Sequence, residues 1–198
     1  MIGREGFTLI ELLVVATIMI VISAIVLANN NRFGGVVQLE ELSYNIALSV
    51  REAQQYGIST RRFQNTFGVG YGVYFPYQSG GANDTYATFA DAITRNGIYD
   101  CPQPGTSDCE LVQSYTMSGG YKINDLCVTP FSSSTETCGH TRIDVLFQRP
   151  EPDAAISYDG TVCSGGCAQS ARIQLISPRG DTMNVYIYDN GQISVSSH

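Results

Sequence analysis

The chain has 198 residues, a formal net charge of −7 at pH 7 and six cysteines. Its length is sufficient for one sizeable folded core in addition to a terminal segment. The acidic balance disfavours nucleic-acid binding, because phosphate backbones require a basic surface. The sequence contains two His, and neither has an acidic partner at a recurring spacing, so a hydrolase triad is not expected. We expect neither a cofactor nor enzymatic activity.

The N-terminal segment organises the rest of the chain. Phe7 to Ala28 forms a run of 22 residues in which Glu11 is the one charged side chain. As a helix, at about 1.5 Å per residue, this run is roughly 33 Å long, enough to cross a bilayer core. A secretory signal fits poorly, because Val26-Leu27-Ala28 does not match a small-residue cleavage site. A plain membrane anchor leaves Glu11 unexplained, since a carboxylate in an apolar span is costly.

The sequence Gly6-Phe7-Thr8-Leu9-Ile10-Glu11 resembles the signal of type IV prepilins. The resemblance implies that residues 1–6 are a leader, which a membrane peptidase removes on the cytoplasmic side. It implies cleavage between Gly6 and Phe7 and methylation of the new Phe7 amine. It also implies that residues 7–28 form a transmembrane helix that later enters a filament core. The fifth mature residue in that family is usually a glutamate, which corresponds to Glu11 here.

Glu11 has a physical reason to be retained if the helix packs among identical helices. Its natural partner is the positive α-amine of Phe7 on a neighbouring subunit, because the apolar run contains no Lys or Arg. A buried charge is tolerated when it is paired, and removing one partner leaves the other costly. The pairing would also fix the axial register of otherwise smooth helices. We expect Glu11→Ala to spare membrane insertion and impair assembly, with Glu11→Asp intermediate.

Residues 29–57 lead into a second helical pattern. Residues 29–35 contain no strong helix former, so a kink or local melting is expected there, with an ordinary linker as the alternative. The segment 36–56 is predicted to be an amphipathic helix lying on a globular head, with Gly57 as its left-handed end. Ser49 to Gly57 resembles the same helix end in GspH/FimT-type minor pilins and pseudopilins. The apolar stripe consists of Val36, Leu39, Leu42, Ile46, Val50 and Ala53.

Residues 58–198 are predicted to form a β-rich extracytoplasmic head. Phe67 to Phe75 has the composition of a strand. Its three alternate glycines, at positions 68, 70 and 72, predict that another element, such as the helix, packs closely on one strand face. The spacing of Tyr86, Phe89 and Ile93 fits either a helix or a strand.

The C-terminal third predicts an antiparallel sheet with tight turns. In its middle strand Met183, Val185 and Ile187 alternate with residues of the opposite face, which indicates one buried face. A long helix followed by such a sheet resembles the type IV pilin plan, so the expected fold class is α+β, a type IV pilin fold. The predicted strands are Arg142–Gln148, Ala171–Ser177, Thr182–Tyr188 and Gln192–Ser196.

All six cysteines lie beyond residue 100 and fall into three neighbouring pairs. Each pair encloses a loop rich in Pro, Gly or Ser, although six cysteines allow 15 complete pairings. We predict the disulfides Cys101–Cys109, Cys127–Cys138 and Cys163–Cys167. Arg4 is expected to stay in the cytoplasm, which places the rest of the chain where disulfides persist. Zinc is the rival interpretation, but only the Cys163–Cys167 spacing suits it, and His140 and His198 have no companion spacing.

One acidic stretch, from Asp91 to Asp100, has the composition of a calcium-binding loop. The EF-hand pattern requires oxygen ligands at its third and fifth positions, which are Ile93 and Arg95 here. We therefore expect a solvated turn and no metal site in this stretch.

The resemblance implies a structural subunit, a minor pilin or a type II secretion pseudopilin, assembled through its N-terminal helix into a pilus or pseudopilus. The implied partners are other subunits, the prepilin peptidase, an inner-membrane assembly platform and, before assembly, membrane lipid. The implied location is the cytoplasmic membrane, crossed once, and then the fibre. One alternative is a DNA-binding minor pilin of a competence pilus, which the acidic balance disfavours. A membrane-anchored enzyme would need a convergent polar pocket.

Overall fold

The computed structural model describes residues 8–59, 61–103, 105–106, 108–163 and 165–197, without the side chains of residues 28–33. Within these residues one α-helix, α1 (Leu9–Ile58), is followed by ten β-strands, so the architecture is α+β as predicted. Internal contacts divide the chain into two units, residues 1–38 and residues 39–198. The second unit contains the last 20 residues of α1 and all of the strands.

The strands form two five-stranded antiparallel sheets. Sheet 1 has the strand order β3-β2-β1-β6-β7, and sheet 2 has the order β10-β9-β8-β4-β5. The strands are β1 (Gly70–Pro76), β2 (Thr85–Asp91), β3 (Leu111–Thr116), β4 (Lys122–Pro130), β5 (Thr137–Cys138), β6 (Arg142–Phe147), β7 (Ala154–Tyr158), β8 (Ala168–Ile176), β9 (Thr182–Tyr188) and β10 (Ile193–Ser197).

The predicted strands are confirmed with small shifts of their ends. The strand predicted over Thr182–Tyr188 is β9 at both ends, and its predicted inner residues, Met183, Val185 and Ile187, are buried. The stretch that fits either a helix or a strand is a strand, because Tyr86 and Phe89 lie on β2. Ile93 follows that strand in the loop.

Both sheets and the C-terminal part of α1 share one hydrophobic core. Leu39, Ile46, Val50 and Ala53 of the predicted stripe are buried, and Leu42 packs against the same core. The stripe is therefore confirmed from Leu39 onward. Val36 lies in the first unit and is exposed. The largest fully buried side chains are Tyr71, Phe75, Phe89, Phe147, Leu39, Ile46, Ile123, Leu126, Ile143, Ile156, Ile173 and Leu175.

The prediction that Gly57 ends the helix is wrong. Gly57 lies inside α1, which continues to Ile58. A Cβ atom at position 57 would overlap the carbonyl oxygen of Phe147 on β6. Glycine is therefore required by the close approach of the helix to a strand, which a single sequence does not distinguish from a helix-ending glycine.

The strand glycines also permit close packing, but their neighbours are strand residues. A Cβ atom on Gly72 would overlap the ring of Phe89, which is completely buried, and one on Gly70 would crowd Leu146. The predicted close packing is confirmed at these two positions, but the residues that pack there lie on β2 and β6 and not on the helix suggested as an example. Gly68 precedes β1 and has a φ of 68°, so it does not belong to this strand face.

In the first unit, α1 is helical from Leu9 onward and includes residues 29–35. The local melting expected for these residues is not seen in the described backbone, and a kink there stays a prediction. Each further residue extends a helix that is already nucleated, so poor local propensity costs little compared with starting a new helix.

Three disulfides close the long loops of the second unit. They join Cys101 to Cys109, Cys127 to Cys138 and Cys163 to Cys167, the pairs proposed from the local spacing. The Cys127–Cys138 bridge connects β4 to β5 at positions that are also paired in the sheet.

Candidate functional site

The predicted cleavage site falls at the edge of the described chain. Gly6 and Phe7 lie outside the described residues, and the description begins at Thr8, next to the first helical residue Leu9. Cleavage after Gly6 and methylation of Phe7 therefore stay predictions. Glu11, the third predicted site residue, lies in the first turn of α1 and is exposed.

Thr8 and Glu11 together form the start of α1. Thr8 Oγ1 accepts a hydrogen bond of 3.3 Å from the Glu11 amide, and the Thr8 carbonyl accepts one of 3.2 Å from the Leu12 amide. Thr8 is thus the N-cap of the helix, and Thr8-Leu9-Ile10-Glu11 has the Thr-x-x-Glu pattern of a capping box. A carboxylate in the first turn is also favoured by the positive end of the helix dipole.

Thr8 caps the backbone amide of Glu11, and the Thr-x-x-Glu spacing predicts a local capping role for the Glu11 side chain in addition to the predicted role in assembly. The signal for the local role is present in the sequence as the spacing of Thr8 and Glu11. The two roles have different chemical requirements. A capping box accepts Glu or Gln at this position, whereas pairing with a neighbour's amine requires the negative charge.

The apolar part of α1, Leu9–Leu27, is long and apolar enough to cross a membrane. Its 19 residues have a mean hydropathy of 2.8 and none of them is buried. Burying a large aliphatic side chain is worth about 1.5–3 kcal/mol, so this helix requires lipid or other apolar helices around it. The exposed large apolar residues in this span are Leu9, Ile10, Leu12, Leu13, Val14, Val15, Ile18, Met19, Ile20, Val21, Ile22, Ile25, Val26 and Leu27.

In the second unit, Glu110 organises the acidic stretch that has the composition of a calcium loop. Glu110 is completely buried. Its Oε1 accepts hydrogen bonds from the amides of Ala92, Ile93 and Thr94 at 3.1, 2.9 and 3.4 Å, and its Oε2 accepts one from the Asp100 amide at 3.1 Å. The stretch is therefore a loop ordered by a buried carboxylate, where the sequence predicts a solvated turn.

Asp100 also has internal partners in this loop. Its Oδ2 accepts hydrogen bonds from Thr94 Oγ1 at 2.6 Å and from Asn96 Nδ2 at 2.8 Å. The Cys101–Cys109 disulfide closes the chain between Asp100 and Glu110. No sequence pattern singles out Glu110, because its importance depends on amides that lie 10 to 18 positions away in the chain.

A second buried carboxylate, Asp144, anchors the far end of the same loop to β6. Arg142 donates to both of its oxygens, through Nε at 2.8 Å and NH2 at 2.6 Å, and the Tyr99 amide donates at 2.9 Å. Burial raises the pKa of Asp144 above its ordinary value, and the hydrogen bonds from Arg142 oppose that shift. Because its oxygens have donors within the fold, Asp144 acts as a structural link.

Potential metal ligands come together at one place within the described residues, at Asp125, Cys127 and Cys138. The two cysteine sulfurs form a disulfide, so neither can act as a thiolate ligand. His140 Nδ1 lies 2.7 Å from Asp159 Oδ2, and His198 is outside the described residues.

The described chain thus combines an apolar, capped helix with a head whose loops are held by buried carboxylates and disulfides. Comparisons with protein-family models, with curated proteins and with solved structures found no match.

Proposed function

We propose that the chain is a structural subunit of the type IV pilin class, a minor pilin or a type II secretion pseudopilin. The observation that carries this proposal is the exposed apolar helix Leu9–Leu27, which has a single carboxylate, Glu11, in its first turn. The motif around Gly6 and Phe7 adds to it. Such a helix suits a subunit that is held in a membrane and then transferred into a bundle of identical helices.

The energetics of the two environments support this transfer. Lipid and neighbouring apolar helices both cover the exposed aliphatic side chains, so moving between them changes little apolar exposure. The two environments differ in the cost of the Glu11 charge. A carboxylate in a membrane helix costs about 2.5–3.5 kcal/mol on insertion scales, and a positive partner lowers that cost. In a filament that partner is the Phe7 amine of a neighbouring copy, which the removal of residues 1–6 creates.

The head suits a location outside the cytoplasm. Three disulfides close its loops, and disulfides persist in oxidising compartments. On this proposal the subunit crosses the cytoplasmic membrane once, with its head outside, and its partners are other subunits, the prepilin peptidase, the assembly platform and lipid. A DNA-binding pilin has less support, since the net charge is −7.

Intact-mass measurement tests the proposal on protein from membranes and from sheared fibres. We expect the chain in the fibre fraction, without Met1 to Gly6 and with one methyl group on Phe7. A Gly6→Val variant is the matched control, because a β-branched side chain at the cleavage site should leave the leader uncut and the chain in the membrane. Full-length chain in fibres, or no chain in fibres of a cell that makes them, would contradict the proposal.

A further inference from the structure

The head contains a cavity of about 810 Å³, which assembly through the N-terminal helix does not use. Its walls come from the turn between β6 and β7, the loop after β2, the residue after β4, the loop between β7 and β8, and the turn between β9 and β10. Small-molecule sites commonly have volumes of about 300–1,000 Å³. The cavity is therefore large enough for a ligand.

A buried carboxylate with an unused oxygen lies in the cavity wall. Asp91 is 5% exposed, and its Oδ2 accepts a hydrogen bond of 3.2 Å from the Gly97 amide. Its Oδ1 is buried and lacks a hydrogen bond of normal geometry within the described part of the chain, although the Asn96 amide lies close enough to the carboxylate to lower its pKa. Burial, followed by the charge of nearby Glu110, raises the pKa of Asp91 to about 6, so it is mostly ionised at neutral pH. A buried acceptor without a donor costs free energy that a ligand can recover.

The other charges of the cavity wall add to its negative character. Four carboxylates line it, against the two guanidinium groups of Arg95 and Arg149. Charges at the exposed positions are screened by solvent and salt, whereas the charge of buried Asp91 acts through a medium of lower dielectric. The carboxylates are those of Asp91, Glu151, Asp153 and Asp189.

The wall also presents apolar surface to solvent. Phe131 is 52% exposed and Val162 is 56% exposed, although both are large apolar side chains. Phe131 directly follows β4, Val162 lies in the loop between β7 and β8, and both are outside the shared core. A ligand with an apolar body would cover these two side chains, while a positive end would suit Asp91.

We propose that this cavity binds a ligand that carries an ammonium or guanidinium group on an apolar arm, with Asp91 as the receptor for the charge and Phe131 and Val162 as the cover for the arm. The source is a free amine or a Lys or Arg side chain of another protein, which share this chemistry. Because Asp91 Oδ1 is buried, the cation reaches it through a local shift of the lining around Asn96 and Gly97. This proposal is independent of the fibre role.

The test uses the full chain in non-ionic detergent micelles, with the Gly97 amide NMR signal as the reporter. The probes are n-butylammonium for a free amine and N-acetyl-lysine methylamide for a protein side chain, and n-butanol is the neutral control. We expect a saturable shift of the Gly97 signal with a cationic probe and none with n-butanol. Binding of n-butylammonium without binding of the lysine derivative favours a free amine as the source, and binding of the lysine derivative as tightly or more tightly favours a protein side chain.

Two isosteric variants separate the buried charge from the general acidity of the wall. Asp91→Asn should weaken cation binding about 10- to 100-fold, because it removes a charge-assisted hydrogen bond. Asp153→Asn, at an exposed wall position, should weaken it less than about fivefold. If Asp91→Asn fails to fold, Phe131→Ala tests the apolar wall at a position outside the core. The proposal would be overturned if the wild type showed no saturable binding of a cationic probe or bound n-butanol equally well. It would also be overturned if Asp91→Asn or Phe131→Ala bound the cationic probe as tightly as the wild type.

Discussion

Glu110 is the residue on which the loop before β3 most depends. Its carboxylate accepts hydrogen bonds from four backbone amides and is completely buried. We predict that Glu110→Ala lowers the free energy of unfolding by about 3–5 kcal/mol, because it leaves these amides without acceptors. Urea unfolding of the full chain in detergent, with the disulfides intact, measures the change. Glu151→Ala, at an exposed position, is the control and should change stability by less than about 0.5 kcal/mol.

Asp91 makes stability depend on pH in the direction opposite to a paired carboxylate. Its pKa rises from 3.8 to about 6 on folding, first because of burial and then because of Glu110, so the folded state binds the proton more tightly. This contribution to stability is complete below pH 3.8 and is lost as the pH rises through about 6.

We predict that Asp91→Asn removes this pH dependence. The stability of Asp91→Asn relative to the wild type should rise by about 2 kcal/mol between pH 4 and pH 7, because the wild type alone must bury the ionised group. Urea midpoints of both proteins across this range measure the difference. A difference that stays constant from pH 4 to pH 7 would contradict the assignment.

At the residue scale, the sequence reveals local roles better than distant ones. The N-cap of α1 is visible as a four-residue pattern from Thr8 to Glu11, and the three cysteine pairs are visible as short spacings. Glu110 and Asp91 have roles set by residues from other parts of the fold. Their burial could not be predicted, since charged residues are usually exposed.

The C-terminal part of α1 approaches β6 closely at Gly57. We predict that Gly57→Ala destabilises the head by about 1–3 kcal/mol, because the new Cβ would overlap the Phe147 carbonyl and the backbone must shift. Thermal unfolding followed by near-ultraviolet circular dichroism measures this effect.

Gly34→Ala is the matched control for that variant, since it is the same substitution in the same helix. Among the described residues, no atom other than those of its chain neighbours and the adjoining helix backbone lies within 4 Å of the Cβ position at Gly34. Alanine is the better helix former, so this variant should be neutral or more stable by up to about 1 kcal/mol. Equal effects of the two substitutions would show that close packing at Gly57 is not the cause.

At the element scale, periodicity predicts the strands and the helix stripe but not how strands pair. The alternation in β9 and the stripe from Leu39 to Ala53 follow from repeats of two and about 3.6 residues. The pairing of β1 with β6, across roughly 70 residues of chain, leaves no local pattern. Gly57 and Gly72 were therefore open to wrong interpretations, because the residues that crowd them come from distant strands.

At the scale of the whole molecule, the exposed apolar helix determines where the chain can exist. Its 19 residues require lipid or other helices, and the proposed function uses both in turn. Glu11 is the one charge within this span, so the proposed assembly depends on what its charge does. Local capping and pairing with a neighbour's amine both favour a Glu at this position, and the Gln variant distinguishes them.

The most direct test compares wild type, Glu11→Gln, Glu11→Ala and Thr8→Ala in membranes and in sheared fibres. Both Glu11 variants should enter membranes normally, because the charge pair forms only between neighbouring subunits. Breaking a buried charge pair costs about 3–5 kcal/mol, so both variants should be depleted at least about tenfold from fibres. Thr8→Ala loses a cap worth about 1 kcal/mol and should be depleted much less. Wild-type amounts of Glu11→Gln in fibres would show that the charge has no role in assembly and would contradict the account.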